Sequence, residues 1–238
     1  MEPMHSSMST PSVGRMRLVQ LDIIAAEAEA AGQWWLTDDE ASRLQAMSAP
    51  ARRRSFLAGH WLARRIAADW LQAEMTRIAL QRHDDGRPCL LVDGAPSPLS
   101  LSLSHSGGWL AVALATMPVG IDVEVPRRQR DLDALARFAF SPEEAERLQR
   151  MPEAQRAAAF HTLWTLKEAR GKRSGEGLLP ARARRVTALP SDASAAEAMS
   201  WSFQDGALAL AIDAGTEIGI EGGEMLGRPL FWRYAEDD

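Results

Sequence analysis

The stretch LSLSLSHSGGWLAVALATMPVGIDVE, residues 99–124, contains the clearest strand patterns of the chain and its first chemical signal. From Leu99 to Leu103 leucine and serine alternate, the period of a strand with one buried and one wet face. Gly107-Gly108 follows, and paired glycines tolerate the positive φ angles of a two-residue hairpin turn. Trp109–Ala115 therefore runs back as the partner strand. Beyond Met117-Pro118, Val119–Glu124 reads as a third strand whose apolar residues are interrupted by two acids.

Asp122 and Glu124 lie two residues apart, so on a strand they share a face, with backbones roughly 6.5 to 7 Å apart. Like charges that close either splay into water or share a cation. A hard ion such as Mg²⁺ takes one or two carboxylates from a protein and its other ligands from water and substrate phosphates.

The whole chain has 238 residues, 46% apolar and 25% charged, enough for one large or two small domains with a sizeable core. Its single cysteine, Cys89, excludes an internal disulfide framework and a cysteine-cluster zinc site. No apolar run reaches membrane-spanning length, and residues 1–13 lack the pattern of a signal peptide, so a cytoplasmic protein with a disordered N-terminus is expected. The net charge of −5 argues against a nucleic-acid partner.

Basic residues are nonetheless clustered. Arg52, Arg53 and Arg54 precede a segment with Leu57, Trp61 and Leu62 at helical spacing; they form either a solvated helix face or a local phosphate-holding group. Gly86-Arg87-Pro88 reads as a rigid turn presenting Arg87. Ser104 and His105 are adjacent on a strand and so point to opposite faces, which disfavours a Ser-His nucleophile pair and favours two separate hydrogen bonds to an anion at the hairpin end. Ser141-Pro142-Glu143-Glu144 is a helix start with a capping box. In the helix predicted from near Pro152, Phe160, Trp164, Glu168 and Lys172 recur every four residues along one side. Glu168 continues an apolar stripe and so needs a partner. That partner is either Lys172, in a helical salt bridge, or a shared cation, with Lys172 reaching toward phosphates.

The order GRP, LSLSHSGGW, PVGIDVE, FAFSPEE and FHTLWTLKEARGKRSGEGL resembles the Sfp-type 4′-phosphopantetheinyl transferases, over residues 50 to 180. The resemblance implies an α+β (α/β) fold of two similar halves related by a pseudo-twofold, each a helix packed on a small, mostly antiparallel sheet. It also implies transfer of the phosphopantetheine arm of coenzyme A to a serine of an apo acyl or peptidyl carrier protein, releasing adenosine 3′,5′-bisphosphate. Carried over position by position, it implies Asp122, Glu124 and Glu168 as Mg²⁺ ligands, with Glu168 also the general base. Lys172 would neutralise the leaving diphosphate. Ser104, His105, Arg87 (where many relatives have lysine) and Arg54 would contact coenzyme A. Expected boundaries are 14–118 and 119–222 for the halves, with 223–238 a tail without a readable motif. Trp201–Phe203, Asp205-Gly206 and Ala207–Ile212 would form a hairpin of the second half. Arg127 and Arg128 would edge the carrier-docking surface, and a cleft within one chain makes a monomer sufficient. The alternatives are a magnesium-dependent nucleotide phosphohydrolase and a non-catalytic module binding coenzyme A or a carrier. Secondary-metabolite or siderophore synthesis would supply the carrier.

Overall fold

The computed structural model describes residues 13–83, 86–126, 131–204 and 206–236. Among these the chain forms β1 (Val13–Gln20), α1 (Leu21–Ala31), α2 (Asp38–Ala46), α3 (Pro50–Leu71), β2 (Ile78–Arg82), β3 (Pro88–Val92), β4 (Ala95–Ser106), β5 (Trp109–Ala115) and β6 (Gly120–Glu124). It continues with α4 (Leu132–Ala139), α5 (Pro142–Arg150), α6 (Glu153–Ser174), α7 (Pro180–Ala183), β7 (Val186–Pro190), β8 (Ala198–Phe203), β9 (Gly206–Ala211), β10 (Glu217–Glu221) and β11 (Leu230–Glu236).

Two sheets result, in the orders β10-β1-β5-β4-β3-β2 and β6-β9-β8-β11-β7. All their pairings are antiparallel except β1 with β10. Each sheet carries one 22-residue helix, α3 on the first and α6 on the second. The result is the α+β arrangement expected, two helix-on-sheet units in four layers.

Side-chain size along the central strands sets the layering. In β5, Leu110, Val112 and Leu114 pack toward α1 and α3, whereas Trp109, Ala111, Ala113 and Ala115 face the second sheet. Buried on both sides, β5 has no polar position. In β9, Leu208 and Leu210 fill the space between the sheets, and Ala209 and Ala211 let α6 approach the other face.

The hairpin turn is as expected, with Gly107 at φ 61° and Gly108 at φ 88°. The serine face of β4 is not wet. Val119, Ile121 and Val125 donate their amides to the hydroxyls of Ser100, Ser102 and Ser106, at 3.4, 3.0 and 3.1 Å. These residues belong to β6 and its flanks, at the edge of the second sheet, where no further strand accepts them. Serine side chains do so instead and tie the two sheets together, which accounts for the alternation of leucine and serine from Leu99 to Ser104.

Other expectations meet the structure unevenly. The capping box at Ser141 and Glu144 is present, and α6 starts after Pro152. Glu144 does more than cap: its carboxylate pairs with the buried Lys167 at 2.7 Å and accepts the Ala188 amide at 2.7 Å, fastening α5 to α6 and β7. The half boundaries are crossed. The segment set apart as a tail supplies β11, inserted between β8 and β7, and β10 returns to pair with β1 of the first sheet. The expected N-terminal disorder falls on residues outside the described ones except Val13, which opens β1. Arg127, Arg128 and Asp205 also lie outside the described residues. No described helix is long and apolar enough to cross a membrane.

Candidate active site

The seam between β4 and β6 gathers the chemistry. Ser104 Oγ donates to Asp122 Oδ1 at 2.8 Å, and Lys172 Nζ, from α6, reaches the same oxygen at 2.7 Å and the Ile121 carbonyl at 3.1 Å. Lys172 therefore bridges α6 to β6, rather than pairing with Glu168 one turn back along its own helix. The close approach needs Gly120. A Cβ there would overlap the Ala169 carbonyl oxygen and stand 2.6 Å from the Arg173 amide nitrogen, so the missing side chain lets α6 lie directly on β6.

Asp122 is buried, and its Oδ2 has no hydrogen-bond partner among the described residues. Burial raises its pKa from the ordinary value, against the Lys172 charge and the bonds from Lys172, Ser104 and the Val123 amide. The Glu168 carboxyl is raised as well, first by burial and then by the negative charges of Asp122 and Glu124, with Lys172 opposing. Glu124, on the same face of β6, accepts from Ser106 Oγ at 2.9 Å.

Lys172 thus pairs with one of three neighbouring acids, Asp122, and the other oxygen of that buried carboxylate has no hydrogen-bond partner among the described residues. That excess of anionic oxygen suits a hard divalent cation. As the side chains stand, no three described His, Cys, Asp or Glu residues are close enough to clasp an ion by themselves. Oxygen ligands from a bound diphosphate would complete such a site.

On either side of the seam lie basic pockets. His105, on the face of β4 opposite Ser104, lines one of about 210 Å³ together with Arg43, Arg52, Phe56, His60 and Arg82. Desolvation of its ring, followed by the Lys172 charge, lowers the His105 pKa from the ordinary value. Its neighbour His60 stacks on Phe56 at 3.9 Å and meets the buried Glu40 at 2.6 Å. Burial works to raise Glu40, but its bonds to His60, Arg64 and the Thr37 amide outweigh that and hold it at about 2. Arg87 lines a further pocket with Lys172 and Cys89, its guanidinium lying against Gly175 just past the end of α6.

The three clustered arginines separate. Arg53 donates to the Leu44 carbonyl at the end of α2. Arg54 is ion-paired with Asp22 at 3.3 Å and Glu29 at 3.5 Å, although it lines a pocket with His105. Among the described residues Arg52 makes no such pair, and it lines two pockets with His105. Sequence reasoning also left out Ser106, Gly120 and His60. The serine alternation, which continues to Ser106, was the available signal for the first of these.

Residues 26–117 match the family model described as 4′-phosphopantetheinyl transferase, N-terminal, and residues 118–212 match that of the 4′-phosphopantetheinyl transferase superfamily. The chain is 31% identical over 201 residues to the 4′-phosphopantetheinyl transferase HetI of Nostoc sp., covering 84% of this chain and 83% of the relative. It is 28% identical over 155 residues to Sfp of Bacillus subtilis, covering 60% and 67% respectively. A crystal structure of a holo-(acyl-carrier-protein) synthase from Bacillus anthracis, in complex with CoA (3′,5′-ADP), aligns with a TM-score of 0.38 at 18% identity, over 44% of this chain and 96% of that one. With both family models placed end to end and the HetI similarity spanning most of both chains, this protein belongs to the 4′-phosphopantetheinyl transferase family.

Proposed function

We propose that the β4–β6–α6 seam transfers the 4′-phosphopantetheine group of coenzyme A to a serine of an apo acyl or peptidyl carrier protein. The observation that carries this reading is the set of three acids around Lys172, with the pKa values of Asp122 and Glu168 both raised by burial. Asp122, Glu124 and Glu168 would hold Mg²⁺, which when bound neutralises diphosphate oxygens.

Glu168 accepts the proton of the carrier serine hydroxyl, a weak nucleophile at its ordinary pKa. The serine oxygen attacks the phosphorus that bears the pantetheine arm. The bond to the bridging oxygen breaks, and adenosine 3′,5′-bisphosphate leaves with the electron pair. Lys172 offsets the charge that develops on the leaving group. His105 and Arg87 hold the phosphates, whereas the Ser104 hydroxyl is spent on Asp122, and all of these groups come from one chain. A phosphohydrolase would use water in place of the serine, and a non-catalytic module would release no bisphosphate.

Intact mass spectrometry of an apo carrier incubated with the protein and coenzyme A separates these readings. A gain of one phosphopantetheine group that requires Mg²⁺ is expected. Release of the bisphosphate without carrier would favour hydrolysis, and coenzyme A binding without product would favour the module.

Of the clustered arginines, Arg52, which has no ion pair among the described residues and lines two pockets with His105, is the one placed to meet the nucleotide end of coenzyme A. A charge-assisted hydrogen bond contributes about 1.5 to 3 kcal/mol, so Arg52→Ala is expected to raise the KM for coenzyme A about tenfold or more. Arg54→Ala, which removes pairs to Asp22 and Glu29 on α1, is expected to change it by less than about threefold. Steady-state kinetics at fixed carrier concentration measures both, and the reverse order would return the contact to Arg54.

A further inference from the structure

The serines of β4 from Ser100 to Ser106 follow one rule with one exception. Ser100, Ser102 and Ser106 each accept the amide of the residue 19 positions later, Val119, Ile121 and Val125. At the rung that would serve Val123, Ser104 turns instead to the Asp122 carboxylate, which is itself bonded to the Val123 amide. Ser106 keeps its rung and adds a second bond. Its oxygen accepts from Val125 at 3.1 Å, and its proton goes to Glu124 Oε2 at 2.9 Å. Gly107 follows immediately, and a Cβ there would collide with the Val125 side chain, so the strand end is pressed against residue 125. The Ser106 hydroxyl is thus oriented by the backbone of the strand whose acid it contacts.

We infer that Ser106 is the positioning residue for Glu124: oriented by the Val125 amide, its hydroxyl holds the second carboxylate of β6 toward the cation site, whereas Ser100 and Ser102 serve only to join the two sheets. The inference rests on the reading of Asp122, Glu124 and Glu168 as the holders of a divalent cation. Outer partners that orient a metal-binding carboxylate typically change affinity by about 10- to 100-fold when lost.

Ser102→Ala and Ser106→Ala each remove the partner of one β6-side amide, so both are expected to lower Tm by a few degrees. They differ at Glu124. Mg²⁺ titrated calorimetrically into the coenzyme A-saturated protein is expected to bind about tenfold more weakly to Ser106→Ala and within about twofold of the parent to Ser102→Ala. Ser106→Thr, which keeps the hydroxyl, is expected to restore the affinity; if Ser106→Ala is not recovered folded, Ser106→Cys, with its weak donor, takes its place. An unchanged Mg²⁺ affinity in Ser106→Ala, or an equal loss in Ser102→Ala, would overturn the inference while leaving the cation reading intact. A parent protein that takes up no Mg²⁺ with coenzyme A bound would overturn both.

Discussion

Glu168→Gln is expected to load an apo carrier about 10³-fold more slowly than the parent if Glu168 is the general base proposed above, and to do so without losing stability. Intact mass against time gives the first result and urea denaturation the second. The stability follows from the sign of the pKa shift. Glu168 is raised by burial and by Asp122 and Glu124, so its ionised form is less comfortable folded than unfolded. That penalty is fully present above the raised folded pKa and vanishes as pH falls below the unfolded value. Glutamine removes it, so at neutral pH and without Mg²⁺ the variant is expected to be at least as stable as the parent, the advantage shrinking as pH falls through the carboxylate range. A variant that loads carrier at the parental rate would remove Glu168 from the chemistry. One that is clearly less stable at neutral pH would show that its carboxylate is satisfied within the fold.

Gly120→Ala is the second large effect, and it acts through position alone. Gly120 is not among the positive-φ residues, so an alanine could adopt its backbone conformation. What it cannot do is fit. The added carbon would meet two backbone atoms of α6, at Ala169 and Arg173, that cannot rotate away as a side chain would. Relief requires sliding β6 off α6, which stretches the Lys172–Asp122 pair and the serine rungs together. Overpacking of this kind costs about 3 kcal/mol, and the displaced acids are expected to depress transfer beyond what lost folding explains. Gly59→Ala is the control. It lies within α3, where a Cβ would meet Leu103 at an ordinary 3.8 Å and Leu110 at 4.0 Å, so a gain of about 0.5 to 1 kcal/mol is expected from helix propensity. Denaturation midpoints of the two variants should move in opposite directions. If Gly120→Ala is neutral, the seam is looser than its packing implies.

The short-range parts of the fold were legible because local physics determines them. The Gly107-Gly108 turn depends on φ angles that glycine reaches without strain, and the Ser141–Glu144 cap on four consecutive residues bonding among themselves. The apolar run of β5 reads as a strand for the same reason. Likewise, the two-residue spacing of Asp122 and Glu124 places them on one face of any strand. Leu230–Glu236, by contrast, has partners in β7 and β8 that are local to nothing in its own sequence, so it read as a tail.

The sequence by itself determined the helix-and-sheet elements around residues 99–172, the acids and lysine available for catalysis, and their family pattern, since each depends on spacing within one element. Only the tertiary structure decided what the serine face of β4 meets, that Lys172 reaches across to Asp122 instead of back to Glu168, and which of three adjacent arginines are tied to neighbouring elements. The reason is the same in each case. A polar side chain long enough to choose among several partners takes the one that burial elsewhere leaves unsatisfied, and that remainder exists only once two sheets have packed together.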